Sequence, residues 1–475
     1  MGDWGQLAQH AMNIFNFLTI AYFFAGNGVY TILMLISLGS ALIYNRRLAY
    51  QGLQELRHSP ATPPVTVIVP AYNEEDSIIE TVRSVLQADY PDFRLIVIDD
   101  GSTDGTLKRL ICEYQLFRMD FIVRSPLPAG SICGFYVNPD FPRLTVVTKE
   151  NGGKADALNA GINFCRTPYF CILDADCLIE PDALLRLMRP IVRSPGETLV
   201  CGGIIRIRNG CTVANGRIER MKLPPSWVER LQVVEYLRGF LFGRPGWDLT
   251  GGTLIVSGAM AMFQKQSVVD AGGFSPETVS EDMELIVRLR QRAAKMKKRI
   301  QTSFILDTIC WTECPSSIAM LARQRRRWQL GLCQTLQINF PMLFNWKYGA
   351  AGMISFPFHL FIEGLGSVVE FIGYLVVPLA FALHLALSNF YIPLVILSLV
   401  YASFLSVGAV LVEELTYRRY PARRDLYALL GWSLLENFGF RQMILYFRVQ
   451  GCMRFLAGLH RWEKVSHTAG EAEVA

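Results

Sequence analysis

Asp174 and Asp176 stand one residue apart at the end of the apolar run Phe170-Cys-Ile-Leu173. Two carboxylates so placed can share a hard divalent cation that also touches a diphosphate. A second acidic pair, Asp99-Asp100, closes the run Arg94–Ile98 and leads into Gly-Ser-Thr-Asp-Gly. In Asn151-Gly-Gly-Lys-Ala-Asp-Ala-Leu-Asn159 two glycines let the backbone approach a ligand, and Lys154 stands at a helix start, a favourable place for phosphate. Asp282, in Ser280-Glu-Asp-Met-Glu284, opens a further helix, and Gln324-Arg-Arg-Arg-Trp328 sets three cations beside an indole. Taken alone, each has a plainer account: a solvated turn, a solvated lysine, a helix cap, a basic membrane-surface helix with a Trp anchor. No His lies between His58 and His359, so acid–base work in that stretch falls to carboxylates.

The elements that must position these residues follow an α/β rhythm from Pro63 onward. Val65–Val69, Arg94–Ile98, Leu144–Thr148 and 170–173 read as buried strands, each followed by a polar loop, glycine-containing after Ile98 and Thr148, and then a helical period such as Ile78, Ile79, Val82, Val85 and Leu86. Such alternation predicts a mostly parallel sheet, with ligands at the carboxyl ends of its strands. Val200–Arg208 continues as a strand and Trp227–Phe242 as an amphipathic helix. Thr253–Phe263 reads as an apolar strand broken at Ser257-Gly258, where backbone and ligand come close. Residues 118–142, rich in Pro and Gly, read as an inserted surface loop without an assigned role.

Of the 475 residues, 51% are hydrophobic, and the excess collects in 11–44 and from about 349 to 414. The stretch 17–44 carries no charge and is long enough to span a bilayer, followed by Arg46, Arg47 and Arg57; the first ten residues hold no Lys or Arg, unlike a cleaved signal peptide. Positive-inside logic then puts the amino terminus outside and the α/β region in the cytoplasm. Two further spans are expected at 366–387 and Tyr391–Val412, with Arg418, Arg419, Arg423 and Arg424 after them. Residues 349–365 and 425–450, interrupted by Glu363, Glu436, Arg441 and Arg448, read as interfacial or re-entrant helices, and an odd number of crossings follows either way. The amphipathic stretch Gln329 to Phe344 is expected in the headgroup region. A net charge of +5, clustered beside apolar segments, argues for a membrane surface and against nucleic acid. The 11 Cys contain no C-x-x-C, which argues against a zinc site or disulfide scaffold.

Val69-Pro-Ala-Tyr-Asn-Glu74, Ile98-Asp-Asp-Gly-Ser-Thr-Asp104, Asp174-Ala-Asp176, Glu281-Asp282 and Gln324-Arg-Arg-Arg-Trp328 occur together in one order over roughly 60–335. In this the chain resembles the processive family 2 glycosyltransferases: the bacterial cellulose, chitin, hyaluronan and poly-N-acetylglucosamine synthases. The resemblance implies a GT-A type nucleotide-sugar-binding α/β domain inserted between transmembrane helices of an integral membrane protein. It gives Asp99 and Asp100 the nucleotide, and Asp174 and Asp176 the diphosphate with its Mg²⁺ or Mn²⁺. Asp282 becomes the general base. Gln324, Arg327 and Trp328 line the acceptor site, with Arg327 also near the diphosphate; Lys154 matches a phosphate-side basic residue more loosely. Gly258 is placed beside the acceptor. The glycine-rich Gly251-Gly252 and Ser257-Gly258, with no cyclic-dinucleotide-binding barrel after residue 450, favour the chitin-like or poly-N-acetylglucosamine-like branch over cellulose.

The expected organisation is an N-terminal segment (1–16), a transmembrane helix (17–44), the cytoplasmic glycosyltransferase domain (60–335), interfacial or re-entrant helices (336–365), two transmembrane helices (366–414) and a cytoplasmic or interfacial C-terminal region (415–475). The expected reaction is inverting transfer from a UDP-sugar to a growing β-linked polysaccharide, because one base without a second nucleophilic carboxylate in register favours direct displacement. The alternative is a non-processive transferase adding one sugar to a lipid or short acceptor. Partners are then the donor, a polysaccharide or lipid acceptor and the membrane, with room for export partner proteins.

Overall fold

The structure, a computed structural model, describes residues 2–47, 52–121, 125–298, 301–382, 388–420 and 422–458. Residues 122–124 of the expected insertion, 383–387 of the expected 366–387 span, and 421 and 459–475 of the C-terminal region lie outside the described residues.

The strands are β1 (Val65–Ala71), β2 (Phe93–Asp99), β3 (Phe117–Arg118), β4 (Ile132–Val137), β5 (Leu144–Lys149), β6 (Tyr169–Leu173), β7 (Leu178–Ile179), β8 (Thr198–Ile207), β9 (Thr212–Ala214), β10 (Arg217–Arg220), β11 (Met260–Gln264) and β12 (Gln301–Thr312). Ten form one sheet in the order β3-β4-β5-β2-β1-β6-β11-β8-β12-β7, and β9 pairs with β10. The centre, β5-β2-β1-β6, is parallel. Its strands read as unbroken apolar runs because alternate side chains feed two cores. Val65, Val67, Val69, Leu95, Val97, Cys171 and Leu173 pack on one face. Ile68, Ile96, Ile98, Phe170 and Ile172 pack on the other. Each such buried aliphatic side chain contributes roughly 1.5–3 kcal/mol. The helix Ile78–Leu86 covers the first face and Lys154–Phe164 the second. This is the GT-A type arrangement, and its parallel strands all end at one edge, where the acids lie.

The sheet is mixed rather than mostly parallel, and three local expectations change. The 118–142 segment is not merely a loop: β4 adds an antiparallel strand onto β5, while Ser131 O accepts from Glu150 N at 3.1 Å. Within Thr253–Phe263 only β11 is a strand, antiparallel to β6 and β8. Leu254 and Val256 are buried there without joining a ladder, because the chain bends at Ser257-Gly258 to bring a carbonyl to Lys154. The expected helix from Trp227 runs regularly to Arg238 and then widens into a π-helical turn, Gly239–Gly243.

Three helices among the described residues are long and apolar enough to cross a membrane: Ile14–Ile43, Ala351–Leu379 and Val395–Thr416. The first lies within one continuous helix, Gly2–Arg47. The second begins before residue 366 because π-helical turns at Ala351–Ser355 and His359–Gly364 run on into the helix Gly366–Ala382. The helix Ile318–Ile338 buries Leu330, Gln334, Thr335 and Leu336 on one face and packs closely on the helix Phe440–Leu456, while Trp328 and Ile338 stay exposed on it. Three of the four charges that interrupt the apolar C-terminal part, Glu363, Glu436 and Arg448, form ion pairs, as burial demands, while Arg441 is exposed. Glu363 pairs with Arg448 at 2.8 Å, and Glu436 with Arg238 at 2.7 Å.

The sheet is fastened to the third of these helices by a buried pair, Arg206 on β8 and Glu413, at 2.7 Å. Arg206 also donates to Thr308 and lies near the Trp311 and Tyr417 rings. Removing one partner strands a buried charge, at a cost of about 3–5 kcal/mol. Arg206→Met is therefore expected to lower the melting temperature of the detergent-solubilised protein sharply, and the double variant Arg206→Met with Glu413→Leu to regain most of it. Equal loss in both would show that the charge pair is not what holds the two parts together.

Candidate active site

At the end of β6 the Asp174-Ala-Asp176 turn is held from three sides. Asp174 N donates to Ala259 O at 3.0 Å, Thr81 Oγ1 donates to Ala175 O at 2.7 Å, and Arg208 Nε donates to Asp176 O at 3.1 Å. The two side chains are thereby fixed at the carboxyl edge of the sheet. Lys154, in the first turn of its helix, reaches across this edge. Its Nζ lies 2.6 Å from Asp174 Oδ1, 3.4 Å from Glu281 Oε1 and 3.2 Å from Gly258 O. Burial alone would lower the ammonium pKa, but Asp174, Glu281 and Asp282 outweigh it and hold the group firmly charged. Gly258 allows this convergence, since a Cβ there would lie 3.1 Å from Asp282 Oδ2 and 3.5 Å from Lys154 Nζ. Lys154, Asp174, Gly258 and Asp282 thus meet at one point, from four separate stretches of chain.

Asp99 and Asp100 reach the same edge but are both buried, and their carboxylates serve the framework. Asp99 accepts from Thr148 Oγ1 at 2.9 Å and from Ser102 N at 3.3 Å. Asp100 accepts from Gly152 N at 3.0 Å, Gly153 N at 2.7 Å and Lys149 Nζ at 2.6 Å. Lys149 is fully buried and also pairs with Asp156, which in turn accepts from Gly130 N. The Gly152-Gly153 loop that presents Lys154 is therefore clamped by Asp100, and the 118–142 segment is tied to the same knot.

Asp176 accepts from Cys177 Sγ at 3.2 Å and Thr312 Oγ1 at 3.4 Å. Glu74, from the loop after β1, lies close enough to feel it. Burial first, then repulsion from Asp176, Asp174 and Glu313, pushes the Glu74 carboxyl up to about 8. Among the described residues no three or more His, Cys, Asp or Glu gather into an all-protein metal cage. The donor set nevertheless fits a divalent cation of the Mg²⁺ kind, which is usually held by one or two carboxylates with substrate phosphates and water completing the shell. Asp174 and Asp176, fixed at the sheet edge, are the residues that would hold the ion.

The helix Ile318–Ile338 closes the site from the membrane side. Gly331 lets it press on the residue before Glu281, since a Cβ there would come within 2.0 Å of Ser280 Oγ. Arg327 lies near enough to Glu281 to lower that carboxyl, although burial leaves it raised on balance. Trp328 is 39% exposed, and Arg325 sits over its ring at 4.3 Å. Arg325 is itself gripped by Glu235 through two hydrogen bonds of 2.8 Å. Gln324 Oε1 is buried and accepts no hydrogen bond among the described residues.

Lys149, Glu281, Glu74 and the Glu235–Arg325 fork were not expected from sequence. Glu281 and Glu74 sit inside the quoted motifs, so their neighbours could have flagged them. Lys149, the last residue of an apolar strand, had only its position two residues before Asn151-Gly-Gly as a signal.

A membrane-attached protein whose mixed α/β sheet gathers acids and a buried lysine at one edge belongs to the class of GT-A fold enzymes. Residues 66–124 match the family described as glycosyl transferase family 2, and residues 137–331 that described as glycosyltransferase like family 2. The region 66–331 thus carries the family 2 glycosyltransferase pattern. The poly-beta-1,6-N-acetyl-D-glucosamine synthase of Staphylococcus aureus (strain MSSA476) is 27% identical over 276 residues, 58% of this chain and 56% of the relative. That of Staphylococcus epidermidis is 25% identical over 313 residues, 66% of this chain and 65% of the relative. The match thus spans a little over half to just under two thirds of these relatives. Among solved structures, a mannosyltransferase from Pyrobaculum calidifontis in complex with GDP-Man and Mn²⁺ is similar with a TM-score of 0.48 and 16% identity, covering 90% of this chain and 98% of that one.

The state of Glu74 has a consequence for stability. Its carboxyl titrates near an ordinary 4.5 when unfolded and at about 8 when folded, so the native state holds an extra proton between those values. The stability this supplies is complete below the unfolded value and is lost as pH rises towards the folded one. In chelator, the parent melting temperature is expected to fall from about pH 4.5 to about pH 8. Glu74→Gln should flatten that fall and leave the variant the more stable at the upper end. Parallel profiles for parent and variant would refute the assignment.

Proposed function

We propose that this chain transfers a sugar from a UDP-sugar to the growing end of a β-linked polysaccharide of the poly-N-acetylglucosamine-like or chitin-like kind, with inversion. The observation that carries this reading is the meeting at Lys154 of the aspartate proposed for the donor diphosphate, Asp174, with the helix bearing the proposed base, Glu281-Asp282. A sugar nucleotide bound along the edge of β1, β2 and β6 would place its diphosphate between Asp174, Asp176 and Lys154. Asp99 and Asp100 act from behind, shaping the loops on which the nucleotide rests. An acceptor hydroxyl approaching Asp282 gives up its proton to the carboxylate as it attacks the anomeric carbon. Lys154 and Arg327 stay charged and steady the negative charge that gathers on the departing diphosphate. Mg²⁺ or Mn²⁺, when bound at Asp174 and Asp176, supplies further positive charge to that leaving group.

The acceptor would lie along the helix Ile318–Ile338, where an incoming hydroxyl can satisfy the buried Gln324 Oε1 and the exposed Trp328 ring can stack on a sugar. The likeness to the staphylococcal synthases supports a polysaccharide as acceptor. The arginines after the first span and after the last apolar helix support a cytoplasmic catalytic domain in a multi-pass protein. Export through or beside the apolar helices, with or without partner proteins, belongs to the same reading.

Asp282→Asn is expected to reduce transfer roughly 10²–10⁴-fold while leaving UDP-sugar affinity near that of the parent. Turnover by the purified variant, with nucleotide binding measured on the same sample, checks this; near-normal turnover would remove Asp282 from the role of base. Trp328→Ala is expected to depress transfer to a chain far more than hydrolysis of the donor by water, because the donor side is untouched. The check is UDP release with and without added oligosaccharide, together with gel sizing of labelled product. Equal losses in both reactions would end the acceptor assignment, and a single added sugar in the parent would favour the non-processive alternative.

A further inference from the structure

At the sheet edge opposite the acids, a cavity of about 280 Å³ opens between the first turn of β12, the start of β8, the end of the helix Ala183–Arg193, the helix Arg244–Leu249 and the N-terminal helix. Its walls carry Arg189 and Arg193, one helical turn apart, with the hydroxyls of Ser40, Ser194, Thr198 and Ser303. The acid among the lining residues, Asp248, has its oxygens turned inward, accepting from Phe304 N at 2.9 Å and Thr253 Oγ1 at 3.3 Å. Thr198 Oγ1 is spent on Pro190 O at 3.5 Å and Ser303 on Cys201, so the cleft presents the two arginines with Ser40 and Ser194 beside them, the chemistry that recognises a phosphate.

Its height in the molecule matters equally. Ser40 lies three residues before the end of the apolar stretch Ile14–Ile43. The helix Arg244–Leu249 runs directly against that stretch, where a Cβ on Gly246 would lie 2.8 Å from Leu33 Cβ. Leu249, which lines the same cavity as Ser40, and Leu42 and Ile43 are about half exposed, at 55%, 49% and 56%. Cationic groups near the end of an apolar span, with exposed aliphatic side chains beside them, suit the zone where phospholipid headgroups meet acyl chains.

We propose that this cleft binds the phosphate of an anionic phospholipid headgroup, docking the sheet domain on the bilayer at the edge away from the catalytic centre. Arg193, exposed at the cavity wall, is the residue whose charge can be changed without disturbing the core. The full chain in neutral detergent is titrated with short-chain phosphatidylglycerol, phosphatidylcholine or inorganic phosphate, and its melting temperature followed. Phosphatidylglycerol is expected to raise it and phosphatidylcholine to leave it unchanged. Arg193→Glu should weaken the apparent affinity at least fivefold, roughly the share of one basic residue at an anionic surface. Arg193→Lys should retain it, and Arg193→Gln replaces the charge reversal if that variant does not fold. A rise with inorganic phosphate equal to that with phosphatidylglycerol, lost in Arg193→Glu, overturns the lipid assignment and gives the site to a soluble anion. No rise, an equal rise with phosphatidylcholine, or a phosphatidylglycerol response that Arg193→Glu leaves intact overturns the proposal.

Discussion

The site depends on one half-buried ammonium. Lys154 joins Asp174, at the end of β6, to Glu281, at the start of the helix Glu281–Lys295, and takes the carbonyl of Gly258 as a third partner. Without it, Asp174 would face the adjacent Glu281 and Asp282 across a small space, and at low effective dielectric their repulsion would drive the two elements apart. With it, Asp174 and the Glu281-Asp282 pair are held at fixed separation. The same ammonium is close to where a leaving diphosphate would develop negative charge, so the group that assembles the site is also suited to work in it.

Behind Lys154 stands a fully buried cation, Lys149, gripped by Asp100 and Asp156. Its role is to place the Gly152-Gly153 backbone, whose amides end on Asp100. The two lysines divide the labour: one fixes the loop, the other acts from it. On the membrane side the arrangement is similar, with Arg325 fixed by Glu235 so that Arg327 and Trp328 are presented outward from the same helix. Buried ion pairs of this kind add little net stability, but they penalise every misplacement of the groups they connect.

The strands around Ile68, Ile98, Val146 and Ile172 were legible because parallel strands buried on both faces leave uninterrupted apolar runs, and the acids at their ends were legible because loops there are short and polar. The helix starts at Lys154 and Glu281 were read from the same alternation. What stayed hidden was whatever depends on which strand lies beside which. β11 runs antiparallel between β6 and β8, and nothing local in Met260–Gln264 states its direction. Lys149 looked like the end of a strand, because its partners lie 49 and seven positions away and only the folded sheet brings them together. Asp99 and Asp100 were recognised as important by their motif, yet their inward hydrogen bonds to Thr148, Ser102 and the glycine loop are tertiary facts. The second membrane-crossing helix was drawn too short because π-helical turns let Pro357 and Glu363 sit inside a continuous rod.

Arg325 covers one face of the Trp328 indole at 4.3 Å and is itself immobilised by Glu235. An aromatic ring has two equivalent faces, but this one has been made single-sided. A sugar that stacks on it would do so from one direction only. On this reading, the side from which a chain reaches the site would be set by a cation parked on the far side of a tryptophan.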